Sequence, residues 1–380
     1  MGIKNLQKLI DEVCPQAKTI QDPKSFFGRV VAIDASMVLY QMLIAITDEN
    51  GAPLTNGDGR VTSHLQGLIS RVVKLYERGI KPVFVFDGAP PEFKAGELAV
   101  RKERKEEAEA AMKAAQQSGD MEEMNKQRKR TVRVGNEEKE ESMRLLNLLG
   151  VPCMEAPCEA EATCAHLVKA GRAWATVTED MDCLTFGSAI QLRRLLFSGK
   201  KGQEVWENNL AAVLSGLELT MDQFIDLCML CGCDYLPSLP GIGYKTAFRL
   251  VKDHGDLASV LSVLKADPKR TIPDEWARWE EARTMFTAPI VTDLETLPKF
   301  KWGKPKKTEL VEFMVKEMGF AEERVEKAIE RINAQRNKGG QKRIDSFFVV
   351  ASTPKARKDL LKKARGKAKK KGANKKGSFR

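Results

Sequence analysis

Three short apolar runs, each broken off by acidic residues, constrain this chain more than any other feature. Arg29-Val-Val-Ala-Ile-Asp34 and Pro82-Val-Phe-Val-Phe-Asp87 are each apolar up to a terminal Asp. Ala173-Trp-Ala-Thr-Val-Thr178 runs into Glu179-Asp180-Met181-Asp182 in the same way. Runs of this length and β-branched or aromatic content predict buried strands. Helix-like stretches lie between them, Ala35 to Ile46 and 62–79, the second ending at Gly79. Strands alternating with helices predict an α/β fold, a mostly parallel twisted sheet covered by helices on both faces. Ligands of such sheets bind at the carboxyl ends of the strands, where Asp34, Asp87, Asp180 and Asp182 fall.

A lone Asp after a strand is usually a turn or cap residue. Three strand ends aimed at one edge are harder to dismiss. Glu159 and Glu161 open an Ala-rich helical stretch, and Asp234 follows an apolar helix expected over 221–232. Converging carboxylates repel one another unless something neutralises them. Divalent metal does so, and oxygen-only ligands select Mg²⁺ or Mn²⁺ over zinc. Two such ions suit phosphodiester hydrolysis, one helping to generate hydroxide and both stabilising the attacking and leaving oxygens. No GxxxxGK[ST] loop is present, so a nucleoside triphosphate is not an evident fuel.

Residues 92–141 are rich in Ala, Glu, Lys and Arg and predict polar helices joined near Ser118-Gly119-Asp120. Such helices bridge solvent or act on a charged partner. Lys94, Arg101, Arg104 and Lys105 recur along the first of them. Lys94 and Arg101 are two turns apart and share a face, which suits electrophilic help at a phosphate. Gly241-Ile242-Gly243-Tyr244-Lys245 opens another helix, presenting backbone N–H groups and a helix N-terminus to a phosphate. Contacts of that kind position nucleic acid without reading bases.

The net charge of +11 is misleading as a whole-chain figure. Residues 351–380 hold thirteen Lys/Arg against Asp359, so the tail carries +12 and residues 1–350 carry −1. A basic, Gly/Ala-rich tail reads as disordered, serving nuclear import, DNA attraction or solubility. Cys228, Cys231 and Cys233 hint at half a zinc site, but no second Cys/His pair accompanies them. Eight cysteines without a secreted framework read as reduced, intracellular thiols. No transmembrane-length apolar run and no signal-peptide architecture are present. Leu6 stands where a myristoylation site needs Ser or Thr, so Gly2 reads as a tight-packing residue.

MGIKNL, VAIDAS, VFDGAPP, ELAVRKER, APCEAEA, TEDMDCLTFG and GCDYLPSLPGIG occur in this order. Together they resemble the eukaryotic flap endonuclease 1 family, structure-specific 5′ nucleases of the XPG/Rad2 type, from Met1 to about Phe348. The resemblance implies a PIN-like 5′ nuclease fold and removal of 5′ flaps in Okazaki-fragment maturation and long-patch base excision repair. A weaker 5′→3′ exonuclease activity is expected beside it. It also implies that Asp34, Asp87, Glu159 and Glu161 hold one metal and Asp180, Asp182 and Asp234 the other. Lys94 and Arg101 are then expected to steer the scissile phosphate from the base of a helical arch over 92–135. Tyr40, Arg71, Gly232, Glu159 and Asp234 fall at DNA-contact positions. Gly241, Gly243 and Lys245 match a helix–two-turn–helix that grips duplex, often with a bound K⁺. Thr47 stands where relatives often carry Arg, and Tyr244 where Pro is frequent.

QKRIDSFF over 341–348 matches the sliding-clamp motif, with Gln341, Ile344, Phe347 and Phe348 as the plug into PCNA. A monomeric nuclease, up to three per trimeric clamp, is expected in the nucleus, with nucleolus or mitochondrion as further destinations. The expected organisation is a nuclease region over 1–105 and an arch and connector over 106–135. An internal nuclease region over 136–254 and a C-terminal helical region over 255–335 follow, then the clamp motif over 336–348 and the tail over 349–380. The rival class is a non-catalytic adaptor for branched DNA. Retention of all seven carboxylates together with Lys94 and Arg101 argues against it.

Overall fold

The computed structural model describes residues 2–49, 51–196 and 204–337, which belong to one compact unit. The clamp motif, the tail and therefore Gln341, Ile344, Phe347 and Phe348 lie outside the described residues.

The strands are β1 (Lys18–Gln21), β2 (Val30–Asp34), β3 (Lys81–Phe86), β4 (Cys153–Glu155), β5 (Ala175–Val177), β6 (Ile190–Arg193) and β7 (Val205–Asn209). They form one sheet in the order β1-β7-β6-β5-β2-β3-β4. Strands β4, β3, β2, β5 and β6 run parallel, while β7 and β1 add antiparallel to one side. The sheet is thus mixed, and four of its strands (β1, β4, β6 and β7) carry no clear apolar run in the sequence. The order places β2 at the switch point, with β3 on one side and β5 on the other, the place where such sheets bind their ligands.

Before the arch come α1 (Leu6–Val13), α2 (Ala35–Ala45) and α3 (Ser63–Glu77). The arch contributes α4 (Ala95–Ser118) and α5 (Met121–Thr131), followed by α6 (Asn136–Leu149) and α7 (Ala160–Lys169). Next come α8 (Asp182–Thr185), α9 (Leu210–Leu217), α10 (Met221–Cys231) and α11 (Tyr244–His254). The described chain closes with α12 (Leu257–Ala266), α13 (Trp279–Thr287), α14 (Lys307–Val311) and α15 (Glu322–Asn337).

Alternation along β2 shows how the sheet is covered. Val31 and Ile33 enter a core with Leu39, Leu68, Val72, Leu146 and Phe313, from α2, α3, α6 and the segment after α14. Ala32 between them points the other way, into a core with Ala160, Cys164 and Leu167 of α7. Burying such residues contributes roughly 1.5–3 kcal/mol per large side chain. A third core joins α1, α8, α10 and α11 to α12 and α13. Residues 255–335 are therefore shared out, α12 and α13 to one core, α14 and α15 to another.

The arch helices behave as their polarity predicts. Only Ala108 and Ala115 of α4 and Met124 and Gln127 of α5 are buried. The turn between them is made by Gly119 at φ 74° and by Asp120, whose side chain accepts from the Glu123 N–H. Gly119 tolerates this left-handed backbone without a Cβ penalty. A seam this thin makes the hairpin a low-stability element of the fold.

Candidate active site

The three strands that bear acids at their ends are neighbours, β3-β2-β5, and all run parallel. Asp34 ends β2 and caps α2, one carboxylate oxygen accepting from the Met37 N–H at 3.0 Å and the other from Thr178 Oγ1 at 2.9 Å. Asp87 follows β3, and its Oδ1 accepts from the Ala160 N–H at 2.8 Å. That bond ties the β3 end to the start of α7, where Glu159 is the N-cap residue and Glu161 lies in the first turn. Beyond β5, the Asp180 N–H donates to Thr178 Oγ1 at 3.1 Å and the Asp182 N–H donates to Asp180 Oδ1 at 3.1 Å. Buried Gln191 steadies this loop from β6, its Nε2 donating to the Asp180 carbonyl at 2.7 Å.

Burial and mutual repulsion act together on these acids. Burial, and then the charge of Asp87, pushes the Asp34 carboxyl up to about 7. Burial, and then Asp34, Asp87 and Asp180, holds the Glu161 carboxyl well above the carboxylate range. Asp182 is raised likewise by burial, Asp180 and Asp234, and Asp180 chiefly by burial. Lys94 and Arg101 answer this charge. Lys94 Nζ pairs with Glu159 Oε1 and lies 3.4 Å from Asp234 Oδ2. Arg101 Nη2 is 2.7 Å from Asp234 Oδ2, and its Nε is held by Glu97 at 3.0 Å. Burial pulls the Lys94 ammonium down, but Glu159, Glu161 and Asp234 outweigh it and keep it charged.

The donor set fits hard divalent cations. It consists of carboxylate oxygens only, and Asp182 Oδ1 is buried with no hydrogen-bond partner among the described residues. As the side chains stand, no three acidic, His or Cys groups among the described residues close on one point. Lys94 and Arg101 lie among them instead. The Cys228, Cys231 and Cys233 thiols are free and buried, with burial pushing all three up from the usual thiol range. They are packing residues.

Gly2 packs as the N-terminal reading expects. It adopts φ 65°, and a Cβ there would fall within the Asp180 carboxylate, 2.7 Å from its Cγ. The Lys4 N–H donates to the Gly232 carbonyl at 3.1 Å and its Nζ to Ser238 Oγ at 2.6 Å. The first residues thus link the Asp180 loop to the turn after α10. Gly232 has φ 109°, and a Cβ would meet Ser238 Oγ at 2.9 Å.

Other expected site residues lie farther along the same elements. Tyr40 is half-buried in the second turn of α2. Arg71 is on α3, its guanidinium lowered first by burial and then by Arg78. Gly241 (φ 72°) and Gly243 lead into α11, where Tyr244 Oη and Lys245 Nζ both engage Glu12 of α1, at 2.9 and 3.0 Å. Tyr235 was missed by the sequence reading. Its hydroxyl donates to Glu159 Oε2, and the only local signal was its place directly after Asp234.

The XPG N-terminal domain profile matches residues 1–108 and the XPG I-region profile residues 150–234. Flap endonuclease 1 of Heterostelium pallidum is 45% identical over 387 residues, covering 100% of this chain and 99% of the relative. The chain belongs to the flap endonuclease 1 family. Flap endonuclease 1-A of Oryza sativa subsp. japonica is 47% identical over 366 residues, covering 96% of this chain and 95% of the relative. Among solved structures, the flap endonuclease-1 of Methanococcus jannaschii is 34% identical with a TM-score of 0.65, covering 84% of this chain and 97% of that one. The catalytic core of Rad2 in complex with DNA substrate is 25% identical with a TM-score of 0.67, covering 87% of this chain and 100% of that one. As a flap endonuclease family member, the chain is a metal-dependent nuclease acting on DNA.

Proposed function

We propose that this chain is a 5′ flap endonuclease that cuts branched DNA with two Mg²⁺ ions, Mn²⁺ serving as a substitute. The observation that carries this reading is the delivery of acids from three adjacent parallel strands to one edge, with Lys94 and Arg101 inserted among them. Asp34, Asp87, Glu159 and Glu161 form one ligand set, and Asp180, Asp182 and Asp234 the other. Such ions supply hydroxide at neutral pH and charge stabilisation for the attacking and leaving oxygens.

The chain's own residues do the rest. Lys94 and Arg101 hold Glu159 and Asp234 apart from one another's charge when no ion is bound. Lys94 and Arg101 are also the cations placed to meet the scissile phosphate and stabilise its growing negative charge. The α4–α5 hairpin above them is the arch that takes the 5′ flap. Tyr40 stacks on a base beside the cut, and Arg71 and Gly232 contact the backbone. The turn Gly241–Gly243 and Lys245 grip the duplex, with K⁺ bound there. The biological task is flap removal in Okazaki-fragment maturation and long-patch base excision repair, with 5′→3′ exonuclease action beside it. PCNA docks on Gln341, Ile344, Phe347 and Phe348, one monomer on each of up to three clamp subunits; the protein works in the nucleus, and the basic tail serves either import or DNA attraction.

A double-flap DNA labelled at its 5′ end tests the central claim. One discrete cut near the junction, only with Mg²⁺, is expected; tight binding without a cut overturns it in favour of an adaptor.

A further inference from the structure

Glu159 is held at both oxygens. Oε1 pairs with Lys94, a cation also placed to meet the scissile phosphate, whereas Oε2 accepts from Tyr235, which has no such second task. Tyr235 is buried at 5% exposure. A phenol carries its proton at neutral pH, so the hydroxyl is the donor and the Glu159 oxygen the acceptor.

The ring is fixed from the C-terminal region. Phe286 of α13 lies 4.8 Å from the Tyr235 ring and 5.2 Å from the Phe186 ring, both tilted. Phe186 directly follows α8, whose first residue is Asp182, and Tyr235 directly follows Asp234. One side chain of α13 therefore packs against both loops that carry these acids. Trp276 braces the second loop, its Nε1 donating to the Pro237 carbonyl at 2.8 Å.

We propose that Tyr235 is a positioning residue of the metal centre: its hydroxyl fixes the rotation of the Glu159 carboxylate so that Oε1 faces the site, and Phe286 fixes Tyr235. This rests on the reading of Glu159 as a metal ligand. Groups that orient a ligand in this way typically carry 10- to 100-fold in metal affinity. A tyrosine that merely fills the core would affect stability and leave metal affinity alone.

The test is Mn²⁺ titration of the full-length protein by calorimetry, without DNA, for the parent, Tyr235→Phe and Glu159→Gln. Tyr235→Phe keeps the ring on Phe286 and removes only the oxygen. The expected result is Mn²⁺ binding weakened about 10- to 100-fold in Tyr235→Phe, with flap affinity in EDTA unchanged. The Mg²⁺ concentration for half-maximal cleavage should rise in step, and kcat should recover at saturating Mg²⁺. Phe286→Leu, which retains the hydroxyl but loosens the ring, should shift Mn²⁺ affinity in the same direction by less. Weakened binding in Glu159→Gln with unchanged binding in Tyr235→Phe overturns the positioning role alone. Unchanged binding in both removes Glu159 from the ligand set, and the proposal falls with it.

Discussion

Replacing Gly2 with Ala should separate cutting from binding and from folding. At φ 65° an Ala is in the left-handed region, which costs roughly 1–2 kcal/mol. Its Cβ would lie 1.7 Å from Asp180 Oδ1, 2.4 Å from Asp182 Oδ1 and 2.7 Å from Asp180 Cγ, whereas carbon atoms prefer about 3.5–4.0 Å. Both carboxylates, being the ends of side chains, must yield, Asp180 by at least about 1 Å, and this strains the 3.1 Å bond that Asp180 accepts from the Asp182 N–H. Both acids are buried at 7% exposure, so neither has open solvent to swing into. Misplacement of a reacting group by 1 Å costs on the order of 10²-fold in rate, equivalent to about 2.7 kcal/mol at 1.36 kcal/mol per tenfold. The fold itself is spared, because the three atoms nearest the new Cβ all belong to side chains and none to the backbone.

Single-turnover cleavage of a double-flap DNA with enzyme in excess measures the chemical step, and anisotropy in EDTA measures flap binding. The expected outcome is about a hundredfold slower cutting, flap affinity within twofold, and a melting temperature lower by a few degrees. A variant that cuts within threefold of the parent refutes the claim that the glycine sets the Asp180 position. Joint loss of cutting and flap binding refutes it too, by showing a wider disturbance.

Four further outcomes are expected. Asp182→Ala, which removes the buried oxygen without a partner, should bind flaps normally and cut at least on the order of 10²–10³-fold more slowly; near-normal cutting removes it from the ligand set. Phe347→Ala with Phe348→Ala should abolish clamp-stimulated cleavage while basal cleavage survives, and calorimetry that shows unchanged PCNA binding contradicts this. Deleting 351–380 should weaken DNA binding most at low salt and flatten the salt slope, since that slope scales with the phosphates neutralised; an unchanged slope leaves import or solubility as the tail's role. His64 is fully buried against Glu141 at 2.9 Å, and burial lowers its imidazole to about 4. The unfolded chain then takes up a proton between pH 6.5 and 4 that the native state refuses, so stability falls as pH drops through that window. His64→Gln should flatten that part of the melting-temperature profile, and a profile that stays parallel to the parent's counts against the assignment.

What was legible in the sequence follows from how each residue carries its information. Strands β2, β3 and β5 are covered on both faces, so they read as unbroken apolar runs, and their terminal acids stand out by contrast. Lys94 and Arg101 were legible because two turns of helix align them whatever surrounds the helix. Strand β1 (Lys-Thr-Ile-Gln) and strand β7 (Val-Trp-Glu-Asn-Asn) had no such signal. They are short and mixed in polarity, and their pairing is specified by partners elsewhere: buried Asn208 of β7 donates to Gln191 of β6 and to Gln7 of α1, each at 2.9 Å. A local window sees only the polarity of such residues and assigns them to loops.

The same distinction explains why the acids were found and their supports were not. A metal ligand at a strand end is announced by position, because the end of a parallel strand is where the sheet meets its substrate. The group that turns a ligand is announced by nothing periodic. Gly2 could be read as a close-packing residue, but its partner Asp180 lies across the fold. Tyr235 looks like one more core aromatic until its hydroxyl meets Glu159. Phe286 lies outside both matched family profiles, in a helical region whose sequence carries no acid of the site. Yet its ring touches the residues that follow both α8 and Asp234. If Tyr235 orients Glu159 as proposed, α13 contributes to the site through Phe286, and substitutions there should act on metal affinity before they act on DNA binding.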